Sequence, residues 1–302
     1  MKTSTEHDYQ QRILRVLIHI QNHLNEAVSL DELAAVASFS PFHFHRVFRG
    51  MTGESVMDHI RRLRLERAAY TLKYNGESVT RIAFDAGYET LDAFTKAFRE
   101  LFGVPPSVYR KEKRSVLSRK SSSAVSYHPQ GDLQDFEPIN TGAWEMDAQI
   151  KTVDPIRVAF VRAQGPYAES ADTAWKKLCA WAGKNGLFGP QTRFIGVCYD
   201  DPEITPPEKI RYEACLTLSR DVEAEGEIHV QEIGGGSYAT AVLKGPYSGL
   251  AGMYARLCGE WVPKQGYHLR QGPSLEVYLN DPDQTKPEDL LTEIQVPVEK
   301  AS

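Results

Sequence analysis

Apolar residues at Ile13, Val16, Leu17, Ile20 and Leu24 recur with a period near 3.6 and predict an opening helix with one buried face. Ser29-Leu30-Asp31-Glu32 then starts a short second helix. Ser29 is placed to cap it and Glu32, at its third helical position, to complete a capping box. That helix ends near Ser38-Phe39, and Ser40-Pro41 opens a third, with proline where its missing N–H costs nothing. A long helix over residues 56–72 follows, carrying Arg61, Arg62, Arg64 and Arg67. The short-helix, turn, short-helix unit then recurs as residues 78–86, Gly87-Tyr88-Glu89-Thr90 and residues 91–101.

The pattern changes beyond residue 150. Runs at 157–162 and 238–244 read as strands, and each breaks at a Gly-Pro-Tyr triplet before an amphipathic helix. The helix stripes are Ala174, Trp175, Leu178, Trp181 and Ala182 in one case, and Leu250, Met253, Tyr254, Leu257 and Trp261 in the other. Strands at 193–199 and 211–219, then 274–279 and 291–298, complete two copies of one unit.

Both halves are internal duplications. Ser29-Leu30-Asp31-Glu32-Leu33-Ala34 corresponds to Ser78-Val79-Thr80-Arg81-Ile82-Ala83, and Phe44-His45-Arg46-Val47-Phe48-Arg49 to Phe94-Thr95-Lys96-Ala97-Phe98-Arg99. In the second half Gly165-Pro166-Tyr167 corresponds to Gly245-Pro246-Tyr247, Trp181 to Trp261 and Glu213 to Glu293, always 80 residues apart. The expected fold is therefore multidomain. An all-α double helix-turn-helix domain (1–112) is followed by a linker (113–146) and an α+β domain (147–302) of two pseudo-symmetric strand-helix-strand-strand repeats. The linker assignment rests on Ser121-Ser122-Ser123 and weak periodicity.

Charge separates the halves again. The chain of 302 residues carries a formal net charge of −5. Residues 1–120 hold 19 Lys and Arg against 14 Asp and Glu, net +5, which leaves −10 for the rest. Only the first half suits a polyanion, so double-stranded DNA is the expected partner there. No apolar run approaches the ~20 residues of a membrane helix, and the polar N-terminus lacks a signal peptide's apolar core. A cytoplasmic location without membrane partners is expected. Cys179, Cys198, Cys215 and Cys258 lack CxxC spacing, and His43 and His45, two apart on a helix, point in different directions, so no metal or cofactor is expected.

The segments Ile82-Ala83-Phe84-Asp85-Ala86-Gly87-Tyr88-Glu89-Thr90, Phe94-Thr95-Lys96-Ala97-Phe98-Arg99 and Phe102-Gly103-Val104-Pro105-Pro106 with Tyr109-Arg110 resemble the AraC/XylS transcription regulators over residues 8–112. The resemblance implies two recognition helices in successive major grooves, ~34 Å apart. RNA polymerase is the partner expected at a promoter. In the first recognition helix Phe44, Val47 and Phe48 face inward, leaving Phe42, His43, His45, Arg46 and Arg49 outward. Carried over by position, the family's base-reading sites fall on Phe42, His45 and Arg46, and Arg46 has a fork suited to guanine. In the second helix Leu91, Asp92, Thr95 and Lys96 are left for DNA.

The second half, through Val161 to Tyr167, Arg211-Tyr212-Glu213-Ala214-Cys215 and Thr292-Glu293-Ile294-Gln295-Val296-Pro297-Val298, resembles the GyrI-like effector-binding domains of drug-responsive regulators. This resemblance implies a pocket for bulky, often cationic aromatic compounds. Strand alternation places Ala214, Leu216, Ile294 and Val296 toward the helices, and puts Glu213, Glu293, Glu276 and Tyr278 on the opposite face. Glu293 is the expected anchor, Glu213 its pseudo-symmetric rival, and Trp181 and Trp261 are either cleft walls or core. Two alternatives remain: a hydrolase in which Glu293 and Tyr278 supply general-base chemistry, and a protein-binding scaffold. The expectation is a regulator that senses a small-molecule effector and is not an enzyme.

Overall fold

The computed structural model describes residues 4–112 and 146–301, and most of the expected linker lies outside the described residues. Among the described residues the chain divides into two compact units, one holding residues 7–112 and one holding residues 146–301. Among the described residues no helix is long and apolar enough to cross a membrane.

The first unit is helical: α1 (Ser4–Asn22), α2 (Leu30–Ala37), α3 (Pro41–Thr52), α4 (Val56–Tyr74), α5 (Val79–Asp85), α6 (Leu91–Phe102) and α7 (Pro106–Glu112). The expected caps at Ser29 and Ser40 are in place, but the Glu32 carboxylate meets His19 Nε2 at 3.0 Å and does not close the expected capping box. Ser29 Oγ accepts from Glu32 N, Ser40 Oγ from His43 N and Ser78 Oγ from Arg81 N, so each short helix starts with one of its free amides satisfied. Ala34 and Ala83 are buried at equivalent helix-helix contacts. Phe94, Phe98, Phe102 and Tyr109 form an aromatic stack around which α4 to α7 pack. In the first copy the ring of His59 meets Phe48 edge-on, as Tyr109 meets Phe98 in the second.

The second unit is one nine-stranded antiparallel sheet with helices α8 (Tyr167–Lys184), α9 (Leu250–Arg256) and α10 (Val262–Lys264). Its strands are β1 (Ala148–Val153), β2 (Ile156–Gln164), β3 (Phe194–Cys198), β4 (Arg211–Thr217), β5 (His229–Ile233), β6 (Gly236–Lys244), β7 (Tyr267–Leu269), β8 (Ser274–Tyr278) and β9 (Leu291–Lys300). The order β1-β6-β9-β8-β3-β4-β2-β5, with β7 on β9, joins the two repeats at the β3–β8 pair. Each repeat also has an opening strand that the periodicity does not predict, and these strands exchange. β1 of the first repeat pairs with β6 of the second, and β5 of the second pairs with β2 of the first.

The second repeat's helix is interrupted by a π segment, Leu257–Trp261. Pro263 explains it: proline lacks the N–H for a regular helical bond and its ring crowds the carbonyl four residues back, so the turn widens. Its counterpart 80 residues earlier is Gly183, and α8 runs on unbroken.

Candidate DNA-binding and effector-binding sites

The cap at Ser40 and the apolar triad Phe44, Val47 and Phe48, all fully buried, orient α3 as its sequence demands. Its other face departs from expectation. His43, His45 and Arg46, expected outward, are buried, with Arg46 only 5% exposed and His45 2%. Rather than extending, the Arg46 guanidinium folds over the Phe42 ring, 4.0 Å from its centroid, a cation–π contact that suits a charge removed from water. Burial, and then the nearby Arg46 charge, lowers the pKa of His43 to about 4, so that imidazole is neutral at pH 7. Phe42 and Arg49 keep partial exposure. On α6 the expected pattern holds: Leu91, Asp92 and Lys96 are exposed and Thr95 is half-buried.

The sheet sorts the four expected pocket residues into two groups. Glu213 and Glu293 point away from the helices, and each already has a basic partner. Glu213, fully buried, receives Arg162 Nη2 at 2.6 Å, Tyr199 Oη at 2.9 Å and Gln231 Nε2 at 2.7 Å. Glu293 receives Lys151 Nζ at 2.5 Å and Gln295 Nε2 at 2.7 Å. The neutralisation follows from register, which sets Arg162 opposite Glu213 across the β2–β4 ladder.

Glu276 and Tyr278 lie on the helix face, contrary to the alternation argument. Register requires it: Glu276 pairs with Ile294, and directly paired residues share a face. Leu275 and Val277, the apolar positions of β8, instead pack on the other face with Ile195, Val197 and Cys215. Both faces of the central strands are therefore apolar over long stretches, and alternation alone cannot say which one meets the helices. The pairing of Glu293 with Tyr278 for general-base chemistry is thereby excluded, because they occupy opposite faces.

Around Glu276 the structure assembles residues that sequence reasoning left as core or did not single out. Glu276, 8% exposed, accepts from Tyr254 Oη of α9 at 3.1 Å and from Tyr278 Oη at 3.0 Å. Tyr278 Oη lies 3.1 Å from Tyr212 Oη of β4, which accepts from Trp175 Nε1 of α8 at 3.0 Å. A phenol has one proton, so Tyr278, donating to Glu276, must accept from Tyr212. The chain thus runs one way, from indole N–H through two phenols to a carboxylate. Burial pushes the Tyr212 and Tyr278 hydroxyls well above the ordinary phenol pKa and keeps them donors. The Tyr278 ring is met edge-on by Trp175 at 5.8 Å and by Tyr247 at 5.7 Å, and Tyr247 is 42% exposed.

Gly196, opposite Glu276 on β3, makes this possible. A Cβ there would lie 2.7 Å from Tyr212 Oη and 2.8 Å from Tyr278 Oη. The 80-residue repeat aligns Gly196 with Glu276, and a glycine in mid-strand opposite a glutamate was the available signal. Trp181 and Trp261 are not in this group. Trp181 packs with the α8 core and donates to Glu225, and Trp261 sits in the π segment, so the indole beside the carboxylate is Trp175.

Two family models match the chain: a GyrI-like small molecule binding domain over residues 146–299, and a helix-turn-helix domain over residues 33–112. The right origin-binding protein of Escherichia coli is 23% identical over 303 residues, spanning 96% of this chain and 99% of that protein. The HTH-type transcriptional regulator YbfP of Bacillus subtilis is 34% identical over 123 residues, 41% of this chain and 42% of that protein. A DNA gyrase inhibitor of Edwardsiella piscicida is 31% identical over 161 residues, 52% of this chain and all of that protein. With duplicated helix-turn-helix units followed along the chain by a duplicated sheet, the chain belongs to the GyrI-like small molecule binding domain family, and it is an AraC-type DNA-binding transcription regulator.

Proposed function

We propose that the second unit senses an aromatic cation at Glu276, and that the first unit carries this signal to operator DNA. The observation behind this reading is a buried carboxylate set among π faces, with two phenols donating to it. A quaternary ammonium or extended aromatic cation gains charge pairing with Glu276 and cation–π contact with Tyr254, Tyr278 and Trp175. Tyr247, with one side in solvent, is placed to admit it. Glu213 and Glu293 are already paired with Arg162 and Lys151 and serve as internal ion pairs.

The regulatory reading sets binding above turnover, since Glu276 already accepts hydrogen bonds from two phenols. At the promoter, α3 and α6 contact DNA through Phe42, His45, Arg46 and Arg49 and through Leu91, Asp92, Thr95 and Lys96, with Arg46 leaving the Phe42 ring to reach a base. RNA polymerase is the partner of the DNA-bound form.

Calorimetric titration with benzyltrimethylammonium and its neutral isostere neopentylbenzene tests the site. Glu276→Gln should weaken the cation by roughly ten- to hundredfold and leave the isostere unchanged, as expected for a charge-assisted contact of ~1.5–3 kcal/mol. Loss in Glu293→Gln instead would move the site to the opposite face. Recovery of a chemically altered ligand would favour the hydrolase.

A further inference from the structure

In both helix-turn-helix units, an arginine from the helix after the recognition helix grips the connection that leads into the unit. Arg64 of α4 donates through Nε to Leu24 O at 2.9 Å and through Nη2 to Glu26 O at 2.8 Å, both just after α1. Arg110 of α7 repeats the fork: Nε to Leu72 O at 3.3 Å and Nη2 to Glu77 O at 2.6 Å, around the end of α4. Each guanidinium takes two carbonyls at or just beyond a helix end, and Leu72 O is one that the last turn of α4 leaves without a helical partner.

The two arginines then differ. Arg110 serves one unit. Arg64 Nη1 also reaches the turn of the second unit, at 2.8 Å from where a Cβ on Gly87 would lie. Gly87 has φ +81, so glycine is needed there twice, for the left-handed turn and for the approach of the guanidinium. One turn further along α4, Arg67 Nη2 lies 3.5 Å from Asp85 O of the same segment. At this level the α1–α2 connection and the α5–α6 turn face each other across a crevice of about 530 Å³, lined by Leu24, Arg64, Arg67, Phe84, Asp85 and Gly87. Arg64 spans it.

A continuous helix of 19 residues fixes the distance and phase between its two ends over ~28 Å of axis, but the angle at which each unit docks against it depends on contacts outside the helix. We propose that Arg64 is a positioning residue for DNA recognition. It holds the two helix-turn-helix units at one mutual angle and so sets the spacing between the two DNA boxes the protein accepts, without touching DNA itself. Linked binding modules gain their joint affinity, ~10²–10⁴-fold, only where the geometry lets both engage together. The inference rests on both units binding one duplex.

The test is selection from a randomised duplex DNA library with the full chain, followed by affinity measurements on the selected sites at fixed salt. The wild type should yield two boxes at one sharp spacing. Arg64→Lys keeps the charge but loses the fork. It should select the same boxes over a broad range of spacings, bind the wild-type two-box site about tenfold more weakly, and bind a single-box duplex as before. Arg110→Lys should keep the sharp spacing. Gly87→Ala, which drives a methyl into the guanidinium with Arg64 in place, should broaden the spacing as well, so the inference does not hang on one variant. An unchanged spacing in Arg64→Lys and Gly87→Ala overturns the strut. Equal loss on single-box, two-box and unrelated duplexes makes Arg64 a phosphate contact. A wild type that selects only single boxes defeats the two-unit reading itself.

Discussion

His43 is a buried imidazole in the first turns of α3, with its pKa lowered to about 4 by burial and the neighbouring Arg46. In the unfolded chain the same ring titrates near 6.5. Between those values the unfolded state binds a proton that the folded state refuses, so stability falls as pH drops from about 6.5 to about 4 and is constant with respect to this group outside that window. The full effect is on the order of 3 kcal/mol. Urea unfolding of the full chain at pH 7.5 and pH 4.5 should show the loss, and His43→Gln should flatten the slope. An equal slope in the variant would assign the acid sensitivity elsewhere. Arg46 stands beside this ring with its guanidinium over Phe42, a local contact that helical phase does not reveal. Helical phase reports which residues leave the local core, and burial beyond it depends on contacts that no single helix reveals.

At the scale of elements, the two helix-turn-helix turns show what the repeat could and could not predict. Ser38 and Gly87 are equivalent, and both turns use a left-handed residue, φ 55 at Ser38 and +81 at Gly87. Serine is strained there by ~1–2 kcal/mol, partly offset by the greater unfolded-state entropy of glycine. Ser38→Gly should therefore stabilise the chain by ~0.5 kcal/mol, and Gly87→Ser should cost more than that because its side chain also meets Arg64. Thermal unfolding of the two variants checks both signs, and a destabilised Ser38→Gly would show that the serine does more than fill the turn. The caps at Ser29 and Ser40 were legible because each is a local rule, and Ser78 caps its helix by the same rule. Which face of β8 meets the helices was not, because Leu275 and Val277 are as apolar as the positions that do meet them. The strands β1 and β5 escaped for a related reason. They are edge strands, with only Ile233 buried, and their alternation is weak. The π segment had a visible cause in Pro263, yet a helix stripe can be read straight through it.

The second unit as a whole is bound together by the exchange of those edge strands. β1 pairs with β6 from Ala148↔Ala241 to Val153↔Gly236, and β5 pairs with β2 from Ile156↔Ile233 to Phe160↔His229. Each repeat thus completes the edge of the other, while β3 and β8 close the seam between them. The Glu276 cluster draws on both repeats: Trp175 and Tyr212 from the first, Tyr254 and Tyr278 from the second. Strand exchange joins the two copies into one sheet, so the unit is expected to fold cooperatively and the proposed site to need both repeats. Cutting the connection between the repeats should expose this. Fragments 146–223 and 224–301 each keep an opening strand without its partner and a long strand with an open edge, which favours association over independent folding. Alone, neither should unfold cooperatively as a monomer; mixed, they should form a one-to-one complex with the far-UV circular dichroism of the intact unit. Benzyltrimethylammonium should bind the mixture and neither fragment. A first fragment that folds alone as a monomer would show that strand exchange is dispensable, and ligand binding by the second fragment alone would place the site within one repeat.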